Sequence, residues 1–259
     1  MSSAAYLILL LGVILDLAFI IVDDKFHGKS SIFLKTAASL LFVILALINY
    51  RGGFESLLII GLVFDAIGDF ILILRNIDKK HNDILYAIGT VSFFIAHLFI
   101  LVYLSNLSKS ILLPSVIITT LLYALIGVKF INSLNVKGIL NKVGRVYLYT
   151  ISLTCIASII VLFVDYSFSN IILMIGLILF TISDFILVVH KFLLKSKNYL
   201  QPLYRVVYYA SQLLVAIYIG LKWKNGAVGG IRTHVSVKTK LISNQPRYDH
   251  FDTTALLLL

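Results

Sequence analysis

Eight stretches of mostly apolar residues follow one another along this chain, roughly at 4–22, 32–49, 54–75, 84–104, 111–131, 146–165, 170–193 and 202–222. A bilayer core takes about 20 such residues per helix. A segment in lipid must also satisfy its own backbone hydrogen bonds. Repeated runs of this length therefore restrict the chain to an all-α, polytopic membrane fold with eight transmembrane helices. The connections are short and carry turn or breaker residues, as in "YRGG" at 50–53, "NIDKKHND" at 76–83, "NSLNVKGILNKVG" at 132–144 and "KSKNYLQ" at 195–201. The opening "MSSAAYLILLLGVILDLAFIIV" has no basic region before it and runs too long for a signal peptide. It reads as the first spanning helix. With 60% apolar and only 13% charged residues, the composition excludes an ordinary soluble domain.

The charge distribution narrows the choice of partner. The formal net charge is +10, but nucleic acid binding needs the basic residues gathered in a patch, and here they sit in connections. Twelve Lys and Arg residues flank the odd-numbered connections: Lys25 and Lys29; Arg75, Lys79 and Lys80; Lys129, Lys137, Lys142 and Arg145; Lys191, Lys195 and Lys197. The even connections hold only Arg51 and Lys109. The bias places the odd connections in the cytoplasm and both termini outside; Lys222 and Lys224 weigh mildly against it. The expected partners are the bilayer and a lipid substrate, with no nucleic acid and the oligomeric state left open. A single cysteine, Cys155, excludes an intrachain disulfide and a cysteine-based zinc site. It reads as a small core residue.

The sequence divides into a membrane domain over 1–224 and a tail over 225–259. The tail loses apolar periodicity and is expected to be poorly ordered. It resembles an open reading frame running past its natural end. Its His234 and His250 are not expected to bind a metal.

An internal repeat brings the polar residues into relation. At an offset of 115, "GLVFDAIGDFILIL" (61–74) falls over "GLILFTISDFILVV" (176–189), and "FFIAHLFILVYL" (93–104) over "YYASQLLVAIYI" (208–219). Apolar matches come easily in such a chain, but Asp69 over Asp184 does not. His97 meets Gln212 and Tyr103 meets Tyr218. The first two helices of each half match poorly. Four spans preserve orientation, so the halves would be parallel repeats about an axis along the membrane normal. Asp69 and Asp184 would then face one another.

A carboxylate in a spanning helix is expensive and marks a cavity or a partner. Asp65 and Asp69 are four positions apart, on one helix face. Lys35, Arg205, Tyr209 and Gln212 fall at comparable depths, with one of Tyr208 and Tyr209 expected to point inward. Two carboxyls apposed in low dielectric resist ionising together, which leaves a protonated acid beside a carboxylate, a pairing suited to acid/base hydrolysis. Lys35 either pairs with one acid, holds an anionic headgroup or snorkels to the interface. Each acid also has a plain reading as interhelical glue, and His97 as a packing residue. His190 and Arg205 lie near helix ends, within reach of the interface.

In their order, "FLKTAASLL" (33–41), the two aspartate segments, "FFIAHLFILVYL" and "YYASQLLVA" resemble the YhhN-like lysoplasmalogenase family of eight-helix membrane proteins. The shared features are Lys35, Gly68-Asp69, Ala96-His97, Ser183-Asp184 and Tyr209 with Gln212. Two departures are Thr36, where the family often has proline, and Asp65, where it often has serine. The resemblance implies hydrolysis of the vinyl-ether bond of lysoplasmalogens to a fatty aldehyde and a glycerophospho-headgroup. On that reading Asp69 and Asp184 are catalytic, and Lys35, Asp65, His97, Tyr209 and Gln212 bind substrate. No cofactor or metal is expected, although Asp69, His97 and Asp184 would make a conceivable ligand set. The competing class is a transporter or proton-coupled carrier using the same acids. An intramembrane aspartyl protease fits poorly, because Ala66 stands where its first glycine would be.

Overall fold

The computed structural model describes residues 3–25, 29–75, 78, 80–134, 136–193 and 199–243, with side chains at 3–21, within 30–193 and at 199–222. The side chains of Lys25, Lys29, Lys79, Lys195 and Lys197 and of the whole tail, and the backbone of 244–259, lie outside the described residues.

Among the described residues eight helices are long and apolar enough to cross a membrane. We call them α1 (Ser3–Ile21), α2 (Ser30–Asn49), α3 (Ser56–Leu74), α4 (Asn82–Leu107), α5 (Lys109–Ser133), α6 (Gly138–Val164), α7 (Phe168–Leu193) and α8 (Leu200–Lys222). The chain is a multi-pass membrane protein. It splits into two compact units, Met1–Trp223 and Lys224–Leu259. The helical backbone that begins at Leu200 is described as far as Ser243.

Side chains such as Leu7, Leu10, Ile14 and Leu17 on α1, and Leu113, Ile117, Leu121 and Leu125 on α5, are exposed, as lipid-facing surfaces require. Lipid is as apolar as leucine, so close packing rather than water exclusion must hold the helices together, and small residues permit it. Gly61 of α3 lies against the Ala96 carbonyl of α4, where an added Cβ would stand 3.2 Å from the oxygen. Gly68 packs on the Phe93 ring and Gly89 on Leu72. The α2–α3 turn uses Gly52 at φ 118° and Gly53 at φ 90°, values that residues with a Cβ rarely adopt.

α6 starts at Gly138 rather than near 146. The reading of 132–144 as a connection missed its first turns, which are too polar to register as membrane helix. They are tied down locally. Asn141 Nδ2 donates to the Val136 carbonyl at 2.8 Å, and Arg145 donates to the side-chain oxygens of Asn141 and Asn132, each at 2.7 Å.

The repeat is built into the packing. Phe93 of α4 meets Tyr208 of α8, ring centroids 6.2 Å apart, and Tyr103 meets Tyr218 through a hydrogen bond of 2.5 Å. Both pairs join positions 115 apart. Residue meets its own counterpart at two levels, in the same order, so α4 and α8 run parallel with the pseudo-axis between them. The glycine contact recurs too: an added Cβ at Gly176 of α7 would stand 3.3 Å from the Ser211 carbonyl of α8, the counterpart of Gly61 against Ala96.

Candidate functional site

α3 buries two carboxylates one turn apart. Asp65 and Asp69 are 1% and 2% exposed. Asp69 is held from two other helices. Lys35 Nζ of α2 lies 3.0 Å from its Oδ1. Ser39 Oγ, one turn further along α2, and Tyr208 OH of α8 donate to Oδ2 at 2.7 and 2.9 Å. Asp65 accepts from Gln212 Nε2 of α8 at 3.0 Å. Asp184 of α7 accepts a short hydrogen bond from Tyr147 OH of α6.

Asp69 and Asp184 line the same cavity, of about 360 Å³. It runs from the acids to the end of the bundle that carries the odd-numbered connections, where Arg75, Val136, Lys191 and Gln201 border it. Lys35, Arg205, Tyr208 and Tyr209 also line it, and Phe130, Ile131, Leu148 and Ile151 give it an apolar side. Asp184 is only partly buried because the cavity reaches it. Asp65, Gln212 and His97 are not in the lining. They form a layer behind it. Asp16 of α1 is a further buried acid, close enough to interact electrostatically with Asp69 and Tyr209.

The repeat gives the two acids equivalent positions and unequal company. The counterpart of Lys35 is Thr150, and the counterpart of Tyr208 is Phe93. Asp69 thus has a cation that Asp184 lacks, and the two acids take their phenols from non-equivalent positions, Tyr208 and Tyr147. The same substitution of polar for apolar runs through the layer behind. Gln212 bonds Asp65, while at the equivalent contact His97 packs edge-on against Phe180, centroids 4.5 Å apart.

His97 is fully buried, and its Nδ1 lies 2.9 Å from Thr154 Oγ1 of α6. Thr154 in turn donates to a backbone carbonyl of its own helix, at Ile151 or Thr150. Its Nδ1 is therefore engaged by α6, while Nε2 is buried with no hydrogen-bond partner among the described residues. Among the described residues no three His, Cys, Asp or Glu side chains gather closely enough to hold a metal ion.

Three partners escaped the sequence reading. Ser39 had a signal: it lies four positions after Lys35, on the same helix face. Thr154 had a fainter one, as the hydroxyl counterpart of Ser39 at the offset of 115, and Tyr147 had none, since its counterpart is Ile32. Of the tyrosine pair, Tyr208 bonds Asp69, while Tyr209 packs edge-on against Phe19 with centroids 6.0 Å apart.

At the open end, Arg75 lies over the Tyr86 ring at 4.8 Å and donates to Asn82 Oδ1 at 2.8 Å. Burial pushes its guanidinium below its ordinary value, against the nearby Tyr86, Tyr204 and Asp83. Lys191 Nζ sits 3.1 Å from the centroid of the same ring. Arg205 packs over Phe19 at 5.0 Å.

Fold and site together define a class: a multi-pass helical membrane protein in which two parallel halves enclose a cavity lined by a carboxyl from each. The chain belongs to the YhhN family, which it matches over residues 30–219. That stretch runs from α2 into α8 and includes Lys35, Asp69 and Asp184. No curated protein and no solved structure matches the chain.

Proposed function

We propose that this protein is a membrane-embedded hydrolase that cleaves the vinyl-ether bond of single-chain ether lysolipids, with Asp184 as proton donor and Asp69 as carboxylate. The observation that carries the reading is the unequal company of two equivalent acids on one cavity. Asp69 accepts from an ammonium and two hydroxyls. Those are charge-assisted contacts of the kind a carboxylate makes. Asp184 has the Tyr147 phenol and no cation in hydrogen-bonding contact among the described residues. Without a cation to pair with, it is the one assigned the role of proton donor.

The chemistry follows. Asp184 protonates the alkene carbon remote from the ether oxygen, the one that carries the alkyl chain. The carbon bonded to the ether oxygen becomes part of an oxocarbenium ion, which the Asp69 carboxylate stabilises. Water adds to that carbon and returns a proton to Asp184, forming a hemiacetal. The hemiacetal's hydroxyl proton then passes, through Asp184, to the glycerol oxygen as that oxygen's bond to carbon breaks, releasing a fatty aldehyde and a glycerophospho-headgroup. This is the two-carboxyl logic of glycoside hydrolysis applied to a different ether. The apolar side of the cavity suits a single chain. The excess of basic residues at the odd connections supports an open end that faces the cytoplasm.

A carrier is the second reading, favoured by the parallel halves. The end of the bundle away from the cavity mouth argues against it. There Tyr103 and Tyr218 are fully buried and bonded to one another, and Asn49 Nδ2 donates to the Ala216 carbonyl at 3.1 Å. The deciding experiment incubates purified protein in nanodiscs with lysolipids that carry vinyl-ether, alkyl-ether or ester linkages. Aldehyde release from the vinyl ether alone is the expected result. Flux into proteoliposomes without any product would overturn it.

A further inference from the structure

The cavity mouth holds more positive charge than its surroundings use. Lys35 is committed to Asp69. Among the described residues the acids in the lining are Asp69 and Asp184, both at the inner end. Towards the mouth the lining presents Arg75, His190 and Lys191. Lys191 Nζ is shielded from solvent and has no hydrogen-bond acceptor among the described residues. Its contacts are the Tyr86 ring and, at 5.2 Å, the Phe192 ring. Asp83 is near enough to act on Arg75 and Lys191 electrostatically, but one exposed acid does not balance two cations.

The backbone favours the same arrangement. α7 ends in a π-helical turn, Val189–Leu193. Such a turn inserts a residue and changes the direction of the side chains that follow; it is uncommon and tends to occur at functional positions. Here it carries both His190 and Lys191 into the lining. A lysine with no acceptor is costly in a low-dielectric site unless a ligand supplies one. Lys191 and Arg75 converge on one aromatic ring, Tyr86, which interacts electrostatically with Asp184. The cations therefore stand beside the acid end of the cavity, on the side of its mouth.

We propose that Arg75 and Lys191 form an anion subsite that takes the phosphate of a single-chain phospholipid. Arginine offers a planar fork for two phosphate oxygens and lysine a compact charge. A glycerol unit would then span from this phosphate to the bond cleaved between Asp184 and Asp69. This assignment rests on the proposed lipid reading and specifies which lipids the site accepts.

The test is a binding measurement that does not depend on turnover. Purified protein in nanodiscs is titrated with an ester-linked lysophosphatidylethanolamine, which has no vinyl ether to cleave, and with a monoacylglycerol of the same chain. The wild type should bind the phospholipid about tenfold or more tightly. Lys191→Gln and Arg75→Gln should each lose most of that advantage while their monoacylglycerol affinity stays unchanged, and Lys191→Arg should retain it. Equal affinity of the wild type for the two lipids would overturn the proposal. So would full retention of the preference in both glutamine variants. Inorganic phosphate that binds at Lys191 while neither lipid does would assign the site to a free anion and overturn the lipid assignment. Absence of aldehyde release from a vinyl-ether substrate, by contrast, would end the hydrolase reading and leave this measurement standing.

Discussion

Lys35 Nζ lies 3.0 Å from Asp69 Oδ1, and at the place equivalent to Lys35 the second half of the chain has Thr150. The two halves share a backbone plan and differ in charge. Removing Lys35 leaves a buried carboxylate with two hydroxyls for company. Breaking a buried pair from one side costs about 3–5 kcal/mol. Lys35→Met should therefore lower the thermal midpoint sharply in nanodiscs. The double variant Lys35→Met/Asp69→Asn should recover much of that stability, because no charge is left unpaired, and should remain inactive. A double variant no more stable than Lys35→Met alone would show that the pair does not hold the site.

Asp69→Asn and Asp184→Asn should each reduce aldehyde release by a factor of about 10²–10⁴, the usual scale of acid–base contributions. Both proteins should still insert into membranes. Near-normal turnover in either variant removes that residue from the mechanism.

Tyr147→Phe isolates the second acid. Its hydroxyl is the hydrogen-bond donor to Asp184 and has no counterpart at Asp69, where Ile32 stands at the equivalent of Tyr147. The variant keeps the ring that packs beside Phe93 and His97. The expected outcome is a lower kcat with little change in KM and a shifted pH–rate profile. An unchanged profile would mean that Tyr147 is only packing.

Much of this was readable in the sequence, and the reason is physical. Length and apolarity alone reveal a spanning helix, because the bilayer demands both. Asp69 and Asp184 stood out because acids are costly in lipid, and the repeat linked them. Hydroxyl residues carried a weaker mark. Ser39 lies one turn after Lys35 and Thr154 is its counterpart at the same offset, but Ser and Thr are cheap in a membrane helix and do not stand out. Tyr147 had no mark and acquires its role only through the packing of α6 against α7. The first turns of α6 were missed for the opposite reason, since a helix that continues past the membrane becomes polar.

The Tyr103–Tyr218 pair tests the pseudo-axis. Both rings are buried and each hydroxyl is the other's partner, with Asn170 Oδ1 at 3.4 Å from Tyr218 OH. Tyr103→Phe should cost about 1 kcal/mol by leaving the Tyr218 hydroxyl without its main partner. Adding Tyr218→Phe should cost little more, since the second hydroxyl then leaves with the first. A double-mutant cycle of thermal midpoints measures this coupling, and strictly additive losses would argue against a shared bond.

The repeated glycine contact offers a sharper comparison. Gly61→Ala would place a Cβ 3.2 Å from the Ala96 carbonyl, and Gly176→Ala would place one 3.3 Å from the Ser211 carbonyl. In both cases the obstacle is backbone of the adjoining helix, which cannot rotate aside as a side chain does. Each substitution should push α3 from α4, or α7 from α8, at a cost of about 1–3 kcal/mol. The losses should be of similar size because the two contacts are copies of one geometry. They should differ in their effect on activity. α3 carries both Asp65 and Asp69, each bonded to α8, so a displaced α3 strains two carboxylate contacts at once. α7 carries Asp184 alone, bonded to α6. Gly61→Ala should accordingly depress turnover more than Gly176→Ala at equal loss of stability, as thermal melts and aldehyde assays on the same preparations would reveal.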